Sequence, residues 1–332
     1  MARATDTLSA LFKEYDDYLR FDDSPVNGTK FDSGLPSLNR AIGDIDGLPS
    51  GLTQIIGDSG VGKTTLSLQI LAHSQDQLKS VVINGREIKA LFLDFERTYD
   101  SDYAQILGVD TSKVLQVVTP YAEATFDIAI EFLKAGLQFI ILDSLPMIIP
   151  NSESEKTMED NVKMAAEASV IGRGLKRLNQ LAYNADAIII VLNQWRANIS
   201  PMARIDRKPY GARIVNHIMK TTIELTRIKR EADRNQIEAY VSKTKIGAIG
   251  KKVNYELVHG LGIDIDQHVF QLAVDYSIVN QTGKGRYEYN GVKAHGDKQA
   301  TAMYPMQELY DKVVEAMRND TTEEQIVESE DE

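Results

Sequence analysis

The run Gly57-Asp58-Ser59-Gly60-Val61-Gly62-Lys63-Thr64 carries more chemistry per residue than any other stretch of the sequence. It fits GxxxxGK[ST], in which glycines let successive backbone N–H groups converge on phosphate oxygens while a following helix N-terminus adds its dipole. In that pattern Lys63 bridges the β- and γ-phosphates of ATP. Thr64, followed by Thr65, places a hydroxyl on a Mg²⁺ ion that keeps several waters. The pattern arises by chance in on the order of one chain in a hundred of this length, so its setting decides its worth. Here LTQIIG precedes it as a buried strand and KTTLSLQILAHSQ follows at helical spacing, the strand, turn and helix that phosphate binding requires.

Two carboxylates close other apolar runs. Asp143 ends FIILD, where the carboxyl end of a strand would bring it beside the phosphate loop as support for the metal; its plainer role is to cap the next turn. Glu96 ends LFLDFE and could orient or deprotonate an attacking water, or form an ordinary salt bridge. Phosphoryl transfer also calls for positive charge at the γ-phosphate, and beyond Lys63 the first half of the chain offers no obvious source. Lys243 and Lys245, two apart in YVSKTKI, are expected on one face of a strand. Lysines there also keep an edge strand from aggregating, and spacing does not choose between the roles.

Composition bounds the class. With 332 residues, 43% hydrophobic and 26% charged, the chain can form one large domain or two moderate ones. The absence of cysteine excludes a disulfide framework and any thiolate metal site, and the histidines at 73, 217, 259, 268 and 295 lack ligand spacing. No apolar run approaches the roughly 20 residues of a membrane span. The N-terminus lacks a signal-peptide core, so a cytoplasmic protein with no membrane partner is expected. A net charge of −11 argues against indiscriminate nucleic-acid binding, yet NQWRANISPMARIDRKPYGAR, Asn193 to Arg213, holds five Arg/Lys against one acid. A local basic groove is compatible with that pattern.

The elements that must position these groups follow from periodicity. Residues 7 to 20 read as an amphipathic helix tethered by DDSPVNGTKF, able to pack on its own domain or on a neighbouring subunit. From Leu52 to the run AIIIVLNQ, short wholly apolar runs alternate with helices, including one from Thr125 to Lys134 and one near 157 to 183. This is an α/β arrangement whose mostly parallel sheet is covered on both faces. TTIELTRI, QIEAYVSKTKI and KVNYELV then read as antiparallel strands extending the sheet. After residue 275 come a glycine-punctuated segment, a helix near 305 to 318 and a tail, 321 to 332, with six acids and no base. They read as a small lobe and a disordered end.

At this point the residues resemble a known family. In order, GLPSG, GDSGVGKTT, FLDFERTYDSDYAQILGVD, FIILDSLPMIIP, IIIVLNQ, YVSKTKI and VDYSIVNQTGKGRYEYNGVK are similar to the bacterial RecA recombinase and its phage counterparts of the UvsX type, over about residues 31 to 300. The resemblance implies an N-terminal docking segment (1–30), a RecA-like ATPase core (31–275), a small C-terminal lobe (276–320) and the acidic tail. It also implies a filament of identical subunits on single-stranded DNA, pairing with double-stranded DNA, in the host cytoplasm for a phage-encoded chain. A single-strand-binding protein and a loader are further partners that it suggests.

The resemblance also distributes roles. It makes Glu96 the water-activating residue, Asp100 and Tyr103 the adenine-side residues, and Gln194 the γ-phosphate sensor. Lys243 and Lys245 become a pair that reaches the ATP of the adjacent subunit. Residues 155 to 164 and about 194 to 212 become two DNA-binding loops, with Arg196, Arg204, Arg207, Lys208 and Arg213 tracking phosphates, the groove typical of sequence-tolerant single-strand binding. Ile199 matches a position that separates stacked bases, while Trp195 could stack on a base or pack beneath the loop. Gly211 stands alone where the family usually has paired glycines, which places the loop's hinge geometry in question. A hexameric helicase of the same fold and a DNA-coating protein that does not hydrolyse nucleotide are the competing readings. The first would offer a trans arginine in place of Lys243 and Lys245, and the second has no use for Glu96.

Overall fold

The computed structural model describes residues 28–119, 121–151, 164–197 and 207–330. The expected helix at 7–20, nearly all of the first loop, and Ile199 and Arg204 of the second lie outside the described residues, as does the Arg213 side chain.

Strands β1 (Lys30–Phe31) and β2 (Leu48–Pro49) pair around helix α1 (Pro36–Ile42) and lead into β3 (Gly51–Gly57) and α2 (Lys63–Ser74). A hairpin of β4 (Val81–Ile83) and β5 (Arg86–Ile88) precedes β6 (Ala90–Asp94), α3 (Ser101–Ile106), β7 (Val114–Val117), α4 (Ala122–Lys134) and β8 (Phe139–Asp143). Helix α5 (Met164–Ala185) and β9 (Ile188–Asn193) follow. The ribbon β10 (Trp195–Ala197) and β11 (Arg207–Pro209) leads to α6 (Ala212–Ile218), β12 (Thr221–Arg230), β13 (Arg234–Lys243), β14 (Lys252–Val258) and β15 (Gly262–Ile263).

The main sheet has the order β15-β14-β13-β12-β3-β9-β8-β6-β7. Strands β3, β6, β8 and β9 are buried at every residue, as a sheet covered on both faces demands. Alternation along each strand sorts its side chains between two cores. Phe139 and Ile141 join Leu66, Ile70 and Leu71 of α2 on one face, while Ile140 and Leu142 join Phe126 and Ile130 of α4 and Leu175 and Leu178 of α5 on the other.

The extension of the sheet differs from the sequence reading at one strand. Thr221–Arg230 pairs parallel with β3, from Thr221 opposite Thr53 to Leu225 opposite Gly57, and antiparallel pairing begins only between β12 and β13. Helix α6 supplies the crossover that lets β12 enter in the parallel sense.

Helix α7 (Ile265–Asp275), strands β16 (Asn280–Gly283), β17 (Arg286–Tyr289) and β18 (Val292–His295), and helices α8 (Asp297–Met303) and α9 (Met306–Glu330) form the small lobe. Its core includes Val269 and Phe270 of α7, so the lobe starts at Ile265 and not after residue 275. Where a disordered tail was expected, α9 runs on to Glu330; TTEEQIVESE contains neither glycine nor proline to stop it, and its glutamates are good helix formers. Tyr310 Oη donates to Asp32 Oδ2 at 2.6 Å and Arg318 pairs with Asp46 at 2.5 Å, holding α9 against the core.

Candidate nucleotide-binding site

The parallel strands deliver their carboxyl ends to one edge, and the predicted phosphate loop lies there between β3 and α2. Gly60 and Gly62 adopt φ of +68° and +98°, left-handed values at which a Cβ would strain the turn. A Cβ on Gly57 would stand 2.8 Å from the Leu225 carbonyl oxygen, so close strand packing also demands glycine there. No side chain caps the first turn of α2, which leaves its N–H groups to an anion.

Lys63 is only 8% exposed, and its Nζ donates to the carbonyls of Gly57 at 3.0 Å and Asp58 at 2.9 Å. Burial pushes its ammonium below the usual lysine range, against the pull of Asp143, Glu96 and Asp58. Thr64 Oγ1 donates to Asp143 Oδ2 at 2.8 Å. Burial raises the Asp143 carboxyl to about 6; the Thr64 hydrogen bond and Lys63 oppose the rise, and Glu96 and Asp94 add to it.

The turn that presents Glu96 is fixed from below. Asp94, itself buried, accepts from the backbone N–H groups of Thr98 and Tyr99, each at 3.1 Å, and from Gln116 Nε2 at 2.8 Å. Glu96 Oε1 accepts from the Ser144 hydroxyl and, at 3.1 Å, from Gln194 Nε2. Lys63, Thr64, Glu96, Asp143 and Gln194 together line a cavity of about 240 Å³. A lysine, a hydroxyl, two carboxylates and an amide thus converge from four separate stretches of the sequence.

Asp100 caps α3, accepting from the N–H groups of Asp102 and Tyr103, and Tyr103 Oη lies 3.1 Å from Thr65 Oγ1. Beyond Tyr103 opens a cavity of about 330 Å³, lined also by Gly60, Arg227, Arg230, Asn235 and His259. Sequence reasoning missed the last four. Arg227 reaches the loop because β12 lies beside β3, and its Nη2 donates to the Gly60 carbonyl at 2.6 Å. The only local signal was a run of basic residues at the end of a strand.

The second loop has a defined base. Trp195 pairs with Pro209, Arg196 with Lys208 and Ala197 with Arg207. Asn193 Nδ2 donates to the Tyr210 carbonyl at 3.0 Å and the Tyr210 N–H to the Gln194 carbonyl at 3.2 Å, which closes the ribbon directly behind Gln194. The Arg196 guanidinium sits 4.1 Å above the centre of the Tyr210 ring. Gly211, at φ +62°, is the left-handed residue before α6, so a single glycine suffices for this turn. Arg207 Nη1 lies 3.1 Å from Asp58 Oδ2, an ion pair between ribbon and phosphate loop.

Lys243 and Lys245 do not share a strand face as expected. Strand β13 ends at Lys243; Thr244 turns to donate to the Ile42 carbonyl at 2.7 Å, and Lys245 lies in the bend that follows. The Lys243 ammonium donates to the Asn216 carbonyl, and burial, aided by Lys245, pushes it below the usual lysine range. Lys245 lines a concavity of about 880 Å³ with Lys134, Arg177, His217 and Lys220 and no carboxylate. Neither lysine lines the cavity at its own chain's phosphate loop. Among the described residues no group of three or more histidines and carboxylates could hold a metal ion, and no helix is long and apolar enough to cross a membrane.

Fold and site define an α/β protein whose glycine-turned, lysine-bearing loop meets two carboxylates, Glu96 and Asp143, at the carboxyl edge of a parallel sheet. The chain belongs to the RecA family: residues 18–264 match the family model for the RecA N-terminal domain. It is 27% identical over 266 residues to Protein RecA of Saccharopolyspora erythraea, covering 78% of this chain and 73% of that one. It is 28% identical over 279 residues to Protein RecA of Francisella tularensis subsp. novicida, covering 82% and 74%. At the level of the family, this places the chain among the ATP-using proteins of DNA recombination and repair that assemble on DNA.

Proposed function

We propose that this protein is a DNA-dependent ATPase that forms filaments on single-stranded DNA in its ATP state and exchanges that strand with a homologous duplex. The observation that carries the reading is the Gln194–Glu96 hydrogen bond, because Gln194 is both the last residue before the basic ribbon and a donor to the candidate base. A residue so placed can report occupation of the ribbon to the bond-breaking chemistry.

The loop backbone and Lys63 hold the triphosphate, with Lys63 leaving the carbonyls of Gly57 and Asp58 to meet the β- and γ-phosphates. Thr64 and Asp143 are the residues suited to Mg²⁺, directly and through water; once bound, the ion neutralises developing phosphate charge. A buried carboxyl raised to about 6 fits such a cation, which would favour its ionised form. Glu96 takes a proton from the attacking water, and Tyr103 stacks on adenine beside Asp100. Lys243 and Lys245 act on the nucleotide of an adjacent copy. The carboxylate-free concavity lined by Lys245 supports a face that meets an anion carried by another subunit.

Arg196, Arg207 and Lys208 meet the phosphates of a single strand, together with Arg204 and Arg213, and Ile199 enters between bases. ATP favours the DNA-binding form only by binding that form more tightly. The test is phosphate release with and without single-stranded DNA, paired with electron microscopy in a slowly hydrolysed ATP analogue. DNA-stimulated release with helical filaments supports the reading; closed rings, or hydrolysis indifferent to DNA, overturn it.

A further inference from the structure

Asp58 joins two cations that would otherwise act independently. Its side chain holds Arg207 of the ribbon, with Nη1 at 3.1 Å from Oδ2 and 3.3 Å from Oδ1. Its backbone carbonyl holds Lys63 Nζ at 2.9 Å. Arg207 sits at the far end of the ribbon, opposite Ala197, and the Arg207 and Asp58 side chains are 63% and 67% exposed. An ion pair that open to water is weak, and each partner is free to exchange.

We propose that Arg207 is shared between two anions: the Asp58 carboxylate when no nucleotide is bound, and a phosphate of single-stranded DNA when the loop holds a triphosphate. The inference rests on the reading of the ribbon as a DNA-binding element. It adds to that reading a competitor for DNA within the phosphate loop itself. Lys63 must leave the Asp58 carbonyl to reach the phosphates, and the triphosphate brings several negative charges to a loop whose second residue is already anionic. Rearrangement of the loop and like-charge repulsion both act on Asp58, and Arg207 is released with its charge uncompensated. One guanidinium cannot fully serve both partners, so the Asp58 pair subtracts one cation from the DNA site in the nucleotide-free protein. Linkage makes the effect reciprocal: DNA that captures Arg207 leaves Asp58 and its loop freer to receive nucleotide. Exposure sets the size, a few-fold in affinity, which makes the pair a modulator and not a gate.

Salt dependence isolates this arginine, because each single-strand phosphate neutralised steepens the slope of log affinity against log salt by about 0.7. The full chain is titrated with an oligothymidylate over a salt series, without nucleotide and with a slowly hydrolysed ATP analogue plus Mg²⁺. Without nucleotide, Asp58→Asn should steepen the slope by up to about 0.7 and raise low-salt affinity about two- to fivefold. Arg207→Gln should flatten the analogue-bound slope by about 0.7 and the nucleotide-free slope by less. The second variant tests the proposal even where the first fails to fold. A nucleotide-free slope unmoved by Asp58→Asn, or one flattened by Arg207→Gln as much as the analogue-bound slope, overturns the sharing. If the parent binds no single-stranded DNA in either state, the recombinase reading falls and the sharing with it. If the parent binds in a nucleotide-dependent way and the variants behave otherwise than stated, only the sharing falls.

Discussion

Gln194 Nε2 and the Ser144 hydroxyl donate to the same oxygen of Glu96, the former at 3.1 Å. The two donors fix the Glu96 carboxylate between the strand end at Ser144 and the foot of the ribbon. Under the proposed function Gln194 leaves this bond for a γ-phosphate, which carries the state of the ribbon to Glu96.

Gln194→Leu should therefore leave hydrolysis without DNA near the parent rate and reduce its stimulation by single-stranded DNA at least about tenfold. Glu96→Gln should lose about 10²- to 10⁴-fold in kcat while nucleotide affinity is retained, the range expected for removal of a general base. Phosphate release and equilibrium nucleotide binding measure the two quantities separately. Undiminished DNA stimulation in Gln194→Leu would refute the coupling role.

The lysine pair gives a complementation test. Lys63→Ala should abolish turnover, and Lys243→Ala/Lys245→Ala should abolish DNA-stimulated turnover while leaving the protein folded. If the pair acts on a neighbour's nucleotide, mixing the two inactive proteins on DNA should restore activity, because some intact sites then face intact lysines. An inactive mixture that still forms mixed filaments would place the lysines outside the reaction.

Asp143 sets a pH dependence with a definite sign. Its carboxyl rises from 3.8 to about 6 in the folded protein, so folding favours the protonated form. The stabilisation is complete below about pH 4 and is lost as pH climbs through about 6; ionised Asp143 then destabilises the nucleotide-free protein by about 3 kcal/mol. Asp143→Asn should be more stable than the parent at pH 7 to 8, by up to that amount, and the advantage should vanish near pH 4. His268, held down to about 4 by burial, runs the other way and loses stability as pH falls from 6.5, but its contribution cancels between parent and variant. Urea midpoints at several pH values decide, and an advantage that does not change with pH would contradict the assignment.

Removal of residues 321–332 takes away six acids and no base from the end of the chain. The charge of this tail should repel the phosphates of duplex DNA, so the truncated protein should bind duplex more tightly at low salt, with the difference fading as salt screens it. Superimposable titrations would reject that role.

The sequence by itself determined what is local. Glycine spacing marked the phosphate loop, wholly apolar runs marked the buried parallel strands, and an Asp or Glu after an apolar run marked the carboxylates; each depends on residues within one turn or strand. The charge of the ribbon was equally legible, and so was the single glycine at its close. Tertiary structure alone decided which of these groups meet. Arg227 reaches the phosphate loop because β12 joins β3 in parallel, Arg207 meets Asp58 from 149 residues away, and Lys245 leaves its expected strand because Thr244 turns toward Ile42. Strand order and the direction of a bend are set by long-range packing, to which periodicity within a window is blind. The phosphate loop could therefore be read from eight consecutive residues, while its arginine contacts required the folded sheet.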